Sequence, residues 1–148
     1  MTILVTGGAG YIGSHVVYGL VEQQHSVVVI DNLSTGFRDA VASEARLIVG
    51  DIGDEKLVST AIAEHQVTAV MHFAASTVVP ESVANPIAYY RNNTANSLSL
   101  MNAVVRHGIR HFVFSSTAAV YGNPEVQPVE ESVVPRPMSP YGTSKLMT

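Results

Sequence analysis

The sequence predicts an α/β fold built on a doubly wound parallel sheet. Three observations predict it. Short β-branched runs alternate with longer stretches of helical periodicity along the 148 residues. The runs have no polar alternation, as expected of strands buried on both faces. The first run opens directly into a cluster of glycines, Gly7, Gly8, Gly10 and Gly13.

Taken in order, Thr2–Thr6 reads as the first strand and Tyr11–Gln24 as the helix behind it. Ser26–Ile30 is a second buried strand and Ala45–Val49 a third. Asp54–His65 starts acidic and carries apolar residues at helical spacing. Thr68–Phe73 is a fourth strand. Asn85-Pro86 opens a helix that runs to about His107 and stops at Gly108. His111–Ser115 is a fifth strand. The stretch Asn123–Pro137 holds four prolines and reads as loop, after which Ser139-Pro140 opens a last, short helix. Alternating strands and helices give a Rossmann-type parallel sheet, with ligands expected at the carboxyl ends of its strands.

Composition narrows the function. Hydrophobic residues make up 47% and charged residues 14%, which favours a large core over disorder. The net charge of −4 and the lack of a basic run argue against nucleic acid as a partner. There is no cysteine, hence no disulfide and no thiolate chemistry. No signal peptide is evident, and no apolar run reaches the ~20 residues that span a bilayer. The expectation is a soluble, cytoplasmic protein that does not bind membranes.

Two motifs carry chemistry. Thr6–Gly13 reads TGGAGYIG between a strand and a helix. Such glycines allow a tight turn, close approach of backbone to a pyrophosphate, and packing of helix on sheet. Asp31 closes the second strand, where a carboxylate accepts from adenosine ribose hydroxyls and repels a 2′-phosphate, favouring NAD over NADP. The alternative for Asp31 is a turn cap, since Asn32 and Ser34 follow. Asp51, in Gly50-Asp51-Ile52, is either an acid near an adenine amino group or an N-cap ahead of Asp54-Glu55. The second motif is Tyr141 and Lys145, four apart on one helix face. An ammonium nearby stabilises a phenolate and turns tyrosine into a usable base. The alternative is a surface tyrosine beside a solvated lysine.

In order along the chain, TGGAGYIG, DNLSTG (Asp31–Gly36), GDI, HFAAS (His72–Ser76), VVPESVANPIAYYRNN, FSSTAAVYG (Phe114–Gly122) and SPYGTSKLM (Ser139–Met147) resemble the extended short-chain dehydrogenase/reductases, and within them the UDP-glucose 4-epimerases. The resemblance implies NAD as cofactor and a UDP-sugar as substrate. It implies epimerisation at sugar C4 through a 4-keto intermediate, with Tyr141 as base and acid. Lys145 would bind the nicotinamide ribose and Thr117 would hydrogen-bond the reacting hydroxyl. Around the cofactor it implies Gly7, Gly10, Tyr11, Ile12 and Gly13, then Asp31, Asn32, Ser34, Thr35 and Gly36. Asp51, Ile52, Phe73, Ala74, Ala75, Asn92 and Ser115 complete that set, with Tyr141 and Lys145.

Ala118 and Ala119 replace the acid pair of related dehydratases, and Thr77 stands where many 4-epimerases have lysine. UDP-sugar decarboxylases and uronate epimerases share the Tyr/Lys pair and stay open as readings. So does a non-catalytic NAD-binding fragment. The resemblance further implies that residues 1–148 form the NAD-binding domain alone, without the substrate domain. The expected consequences are loosely held Tyr141 and Lys145, impaired activity and an uncovered apolar sheet edge. A homodimer through the 85–107 helix is implied for the family. No metal site is expected. His72 reads as a core histidine, Tyr89 and Tyr90 as packing, and Asn92 and Asn93, by spacing alone, as solvated helix residues.

Overall fold

The computed structural model describes residues 1–148, which divide into two compact units. The first unit comprises residues 1–75 and 98–115. It holds a five-stranded parallel sheet of β1 (Thr2–Thr6), β2 (Ser26–Asp31), β3 (Arg46–Val49), β4 (Ala69–His72) and β5 (His111–Phe114). The strand order is β3-β2-β1-β4-β5, so the chain winds outward in one direction from β1 to β3 and in the other from β4 to β5. Registers run Thr2 to Ser26, Ile3 to Ala69, Val28 to Arg46 and Ala69 to His111. All five predicted strands are present.

Helix α1 (Tyr11–Glu22) follows β1, and α2 (Glu55–Glu64) follows β3. Asp54 caps α2, its Oδ1 accepting from the Leu57 amide at 3.0 Å. Asp51 is therefore not the N-cap that one reading assigned to it. The cap sits three residues later, where Asp54 Oδ1 can accept from the free third amide of the first turn. Two apolar clusters sandwich the sheet. Leu4, Ile30, Val58, Val70, Leu100 and Ala103 build one; Ile3, Val5, Val17, Val27 and Val29 build the other. Strand residues alternate between the clusters because successive side chains point to opposite faces. His72 is buried at 1% exposure, joined to Thr6 Oγ1 by a 2.6 Å hydrogen bond and flanked by Phe112 and Phe114.

The second unit comprises residues 76–97 and 116–148. It contains α3 (Val79–Ala84), α4 (Pro86–Tyr89) and α6 (Pro140–Met147). The expected 85–107 helix is not uniform. After α4 the chain makes a π-helical stretch, Tyr90–Ala95, before resuming as α5 (Asn96–Arg106). Helix α3 lies outside the expected elements altogether. In the helix Pro80 sits in the first turn, where its missing N–H costs nothing. No helix is long and apolar enough to cross a membrane.

Candidate functional site

In the first unit, every expected cofactor residue lies at or just after the carboxyl end of a strand. Gly7 adopts a φ of +71°, and a Cβ there would lie 2.6 Å from the Ala74 amide nitrogen. A Cβ on Gly13 would overlap the carbonyl of Gly7. Both glycines are thus demanded by the protein's own packing. Gly10 is different: a Cβ would meet a single atom, Gly7 O at 3.4 Å, and otherwise open space. Gly10 also starts α1 with no side-chain cap, leaving the first-turn amides to an outside acceptor. An anion with room to approach is what this end of α1 suits, and a pyrophosphate fits. Tyr11 and Ile12 beside it are 83% and 59% exposed.

Asp31 is buried, and both its oxygens are used. Oδ2 accepts from Ala9 N at 2.9 Å and Oδ1 from Leu33 N at 2.8 Å. Asn32 Oδ1 accepts from Ser34 N (3.0 Å), while its Nδ2 donates to Asp51 Oδ2 (3.1 Å). Asp51 Oδ1 accepts from Gly53 N at 2.8 Å. These acids form a continuous polar rim past β1, β2 and β3, with Ser34, Thr35 and Gly36 in the loop that follows Asp31. Ile52, by contrast, is only 5% exposed and its side chain belongs to the core. After β4, Phe73 and Ala74 pack on opposite clusters and Ala75 follows them. Ser115 N donates to His72 O at 3.1 Å, extending β4–β5 pairing by one residue.

The second unit holds Asn92, Thr117, Tyr141 and Lys145. Ser139 caps α6, its Oγ accepting from Gly142 N at 3.1 Å. Tyr141 is half-buried, and Lys145, one turn on, is 5% exposed. Burial pulls the Lys145 ammonium from its usual 10.5 down to about 8. Thr117 Oγ1 accepts from Ala119 N (3.2 Å), forming a short turn against which α6 packs. The close approach is made at Gly142, where a Cβ would stand 2.7 Å from Ala119 O. Thr117, Tyr141 and Lys145 are thereby gathered in one unit.

The residue that sequence spacing missed is Asn93. It is 2% exposed, not solvated. Its Oδ1 accepts from Ser76 N (2.8 Å), and its Nδ2 donates to Ser76 O (2.9 Å) and Ser144 Oγ (3.0 Å). Ser144 Oγ donates in turn to Tyr141 O at 2.7 Å. The Asn93 carbonyl also accepts from Ser97 Oγ and Thr148 Oγ1. Asn93, Thr94 and Ser144 join α6, expected to be loosely held, to the π-helical stretch. Asn92 donates to Ser76 Oγ at 3.0 Å and to Asn93 Oδ1 at 3.3 Å. The only sequence cue was an amide pair inside an otherwise amphipathic helix. No group of three or more His, Cys, Asp or Glu is placed to hold a metal.

Residues 3–148 match the model of the NAD dependent epimerase/dehydratase family. The chain belongs to this family. It is 56% identical over 146 residues to a UDP-glucose 4-epimerase of Azospirillum brasilense, covering 99% of this chain and 42% of the relative. A UDP-glucose 4-epimerase of Lacticaseibacillus casei is 47% identical over 146 residues, covering 99% and 44%. The family likeness extends to three dimensions. The Brucella ovis UDP-glucose 4-epimerase in complex with NAD superposes with a TM-score of 0.96 at 42% identity, covering 99% of this chain and 45% of that one. The Thermotoga maritima enzyme with UDP-glucose gives 0.95 at 40% identity, covering 99% and 48%. The chain spans less than half the length of these family members.

Proposed function

We propose that this chain carries the NAD-binding and proton-transfer part of a UDP-hexose 4-epimerase. The observation that carries the reading is α6, which presents half-buried Tyr141 one turn from buried Lys145 and packs against the Thr117 turn. Relatives named for UDP-glucose and for UDP-arabinose alike are 4-epimerases, which favours C4 as the reacting carbon over decarboxylation or C5 chemistry. A cytoplasmic location and a homodimer are part of the same proposal. Exposed Leu98 and Val105 on α5 support the latter.

NAD, when bound, supplies the acceptor and donor of hydride at the sugar carbon. The chain's own residues do the rest. The amides at Gly10 and the start of α1 would hold the pyrophosphate, and Asp31 would accept from the adenosine ribose hydroxyls. Lys145 lies one turn on from Tyr141 along α6, and burial lowers its pKa to about 8. Tyr141 takes the 4-hydroxyl proton and returns it, and Thr117 orients that hydroxyl. Positioned proton transfer of this kind is commonly worth ~10²–10⁴-fold.

The test mixes the 148-residue chain with NAD⁺ and UDP-galactose and follows UDP-glucose by NMR. We expect turnover that is weak, as befits an impaired part of the enzyme, and that Tyr141→Phe lowers at least ~10²-fold. NAD binding without turnover, unchanged in Tyr141→Phe, would instead establish a non-catalytic NAD-binding fragment.

A further inference from the structure

We infer that Asp31 is a clamp on the glycine loop as well as an acceptor for ribose, so that its charge serves pyrophosphate binding. The inference rests on the NAD reading above and adds a second task to one residue. The Asp31 carboxylate already accepts two backbone amides within the protein, Ala9 N at 2.9 Å and Leu33 N at 2.8 Å. Ala9 lies in the middle of the glycine turn. Leu33 holds a left-handed φ of 57°, a conformation that a side chain adopts only when something fixes it. One carboxylate therefore fixes both the pyrophosphate turn and the loop after β2.

A second contact zips the same two loops. Phe37 N donates to Ala9 O at 3.0 Å, so both backbone groups of Ala9 are taken by the 31–37 loop. The approach is close enough that a Cβ on Gly36 would sit 2.8 Å from Ala9 C and Ala9 O. Gly7 N donates to Ile30 O at 2.9 Å, anchoring the turn's other end to β2. The turn is held in place before any ligand arrives. Asparagine cannot replace the clamp, because its side chain has one acceptor oxygen and an NH₂ that would face a backbone N–H.

The experiment compares two probes on the 148-residue chain. Adenosine carries the ribose hydroxyls without phosphate; NAD⁺ carries both. Dissociation constants come from NMR titration, and amide exchange of Gly8, Ala9 and Gly10 is followed without ligand. Tenfold in affinity is about 1.4 kcal/mol, within reach of one lost charged hydrogen bond. We therefore expect Asp31→Asn to weaken NAD⁺ about tenfold more than adenosine and to speed exchange in the turn. Gly36→Ala keeps Asp31 and the ribose acceptor but pushes on Ala9. It should weaken NAD⁺ and speed ligand-free exchange in the turn although the Asp31 carboxylate is kept. Equal loss of both probes in Asp31→Asn, with exchange in the turn unchanged, would overturn the clamp. Failure of the unaltered chain to bind NAD⁺ would sink the functional reading, while the ligand-free exchange comparison would still decide the clamp.

Discussion

Lys145 sits at 5% exposure, and removing its ammonium from water makes the neutral form easier to reach in the folded protein than in the unfolded chain. Its folded pKa of about 8 lies below the unfolded 10.5. Between those values the unfolded state binds more protons, so stability must rise with pH. Below about 8 both states are charged and the burial penalty is fully present. The upper part of the window is shared with Tyr89, whose phenol is held above 10.0 first by burial and then by Glu81. That group opposes the trend only once an unfolded tyrosine ionises, near 10. We expect the urea midpoint to climb from pH 8 to pH 9.5, and the climb to vanish in Lys145→Met. An equal slope in both proteins would show that Lys145 is not its source. The motif Tyr141–Lys145 was legible from its spacing, but the burial of Lys145 was not. It depends on Asn93 and Ser144, whose hydrogen bonds leave no periodic trace in the chain.

At the scale of elements, local chemistry decides what the sequence reveals. The five strands were legible because each is a short, largely apolar run followed by a turn or loop. The π-helical stretch was not: Tyr90–Ala95 shares its polarity with an ordinary helix, and its widened turn coincides with Asn93, whose side chain bonds Ser76 and Ser144. The start of α2 shows the limit of reading caps from composition. Asp51 and Asp54 are both acids ahead of a helix, and only the backbone path separates the one that closes an Asx turn on Gly53 from the one that caps. Asp54→Ala should accordingly cost about 1 kcal/mol of unfolding free energy, the usual value of a lost N-cap. Asp51→Ala leaves that cap intact and should instead loosen Asn32 through its lost partner. Chemical denaturation of the two variants separates these roles, and a cap-sized loss confined to Asp51→Ala would reverse the assignment.

For the whole chain, the strand order leaves β5 paired on one side only, with β4. Its residues His111 and Val113 are exposed, Val113 to 53%, and Phe112 and Phe114 are half-buried. A short edge strand with exposed apolar side chains is a template for another strand, and no lysine, proline or bulge within β5 guards it. The opposite edge, β3, begins with Arg46, a charge that disfavours such pairing. Of the two edge strands of the sheet, β5 is thus the apolar one and β3 the one that carries a charge. We expect the chain to self-associate with rising concentration and Val113→Lys to weaken that association, because a lysine at the edge cannot be buried against a second apolar strand. Sedimentation velocity across a concentration series measures it. Arg46→Ala serves as the contrast: if removing the β3 charge, and not adding one at β5, changed the sedimentation profile, then the associating edge would be β3.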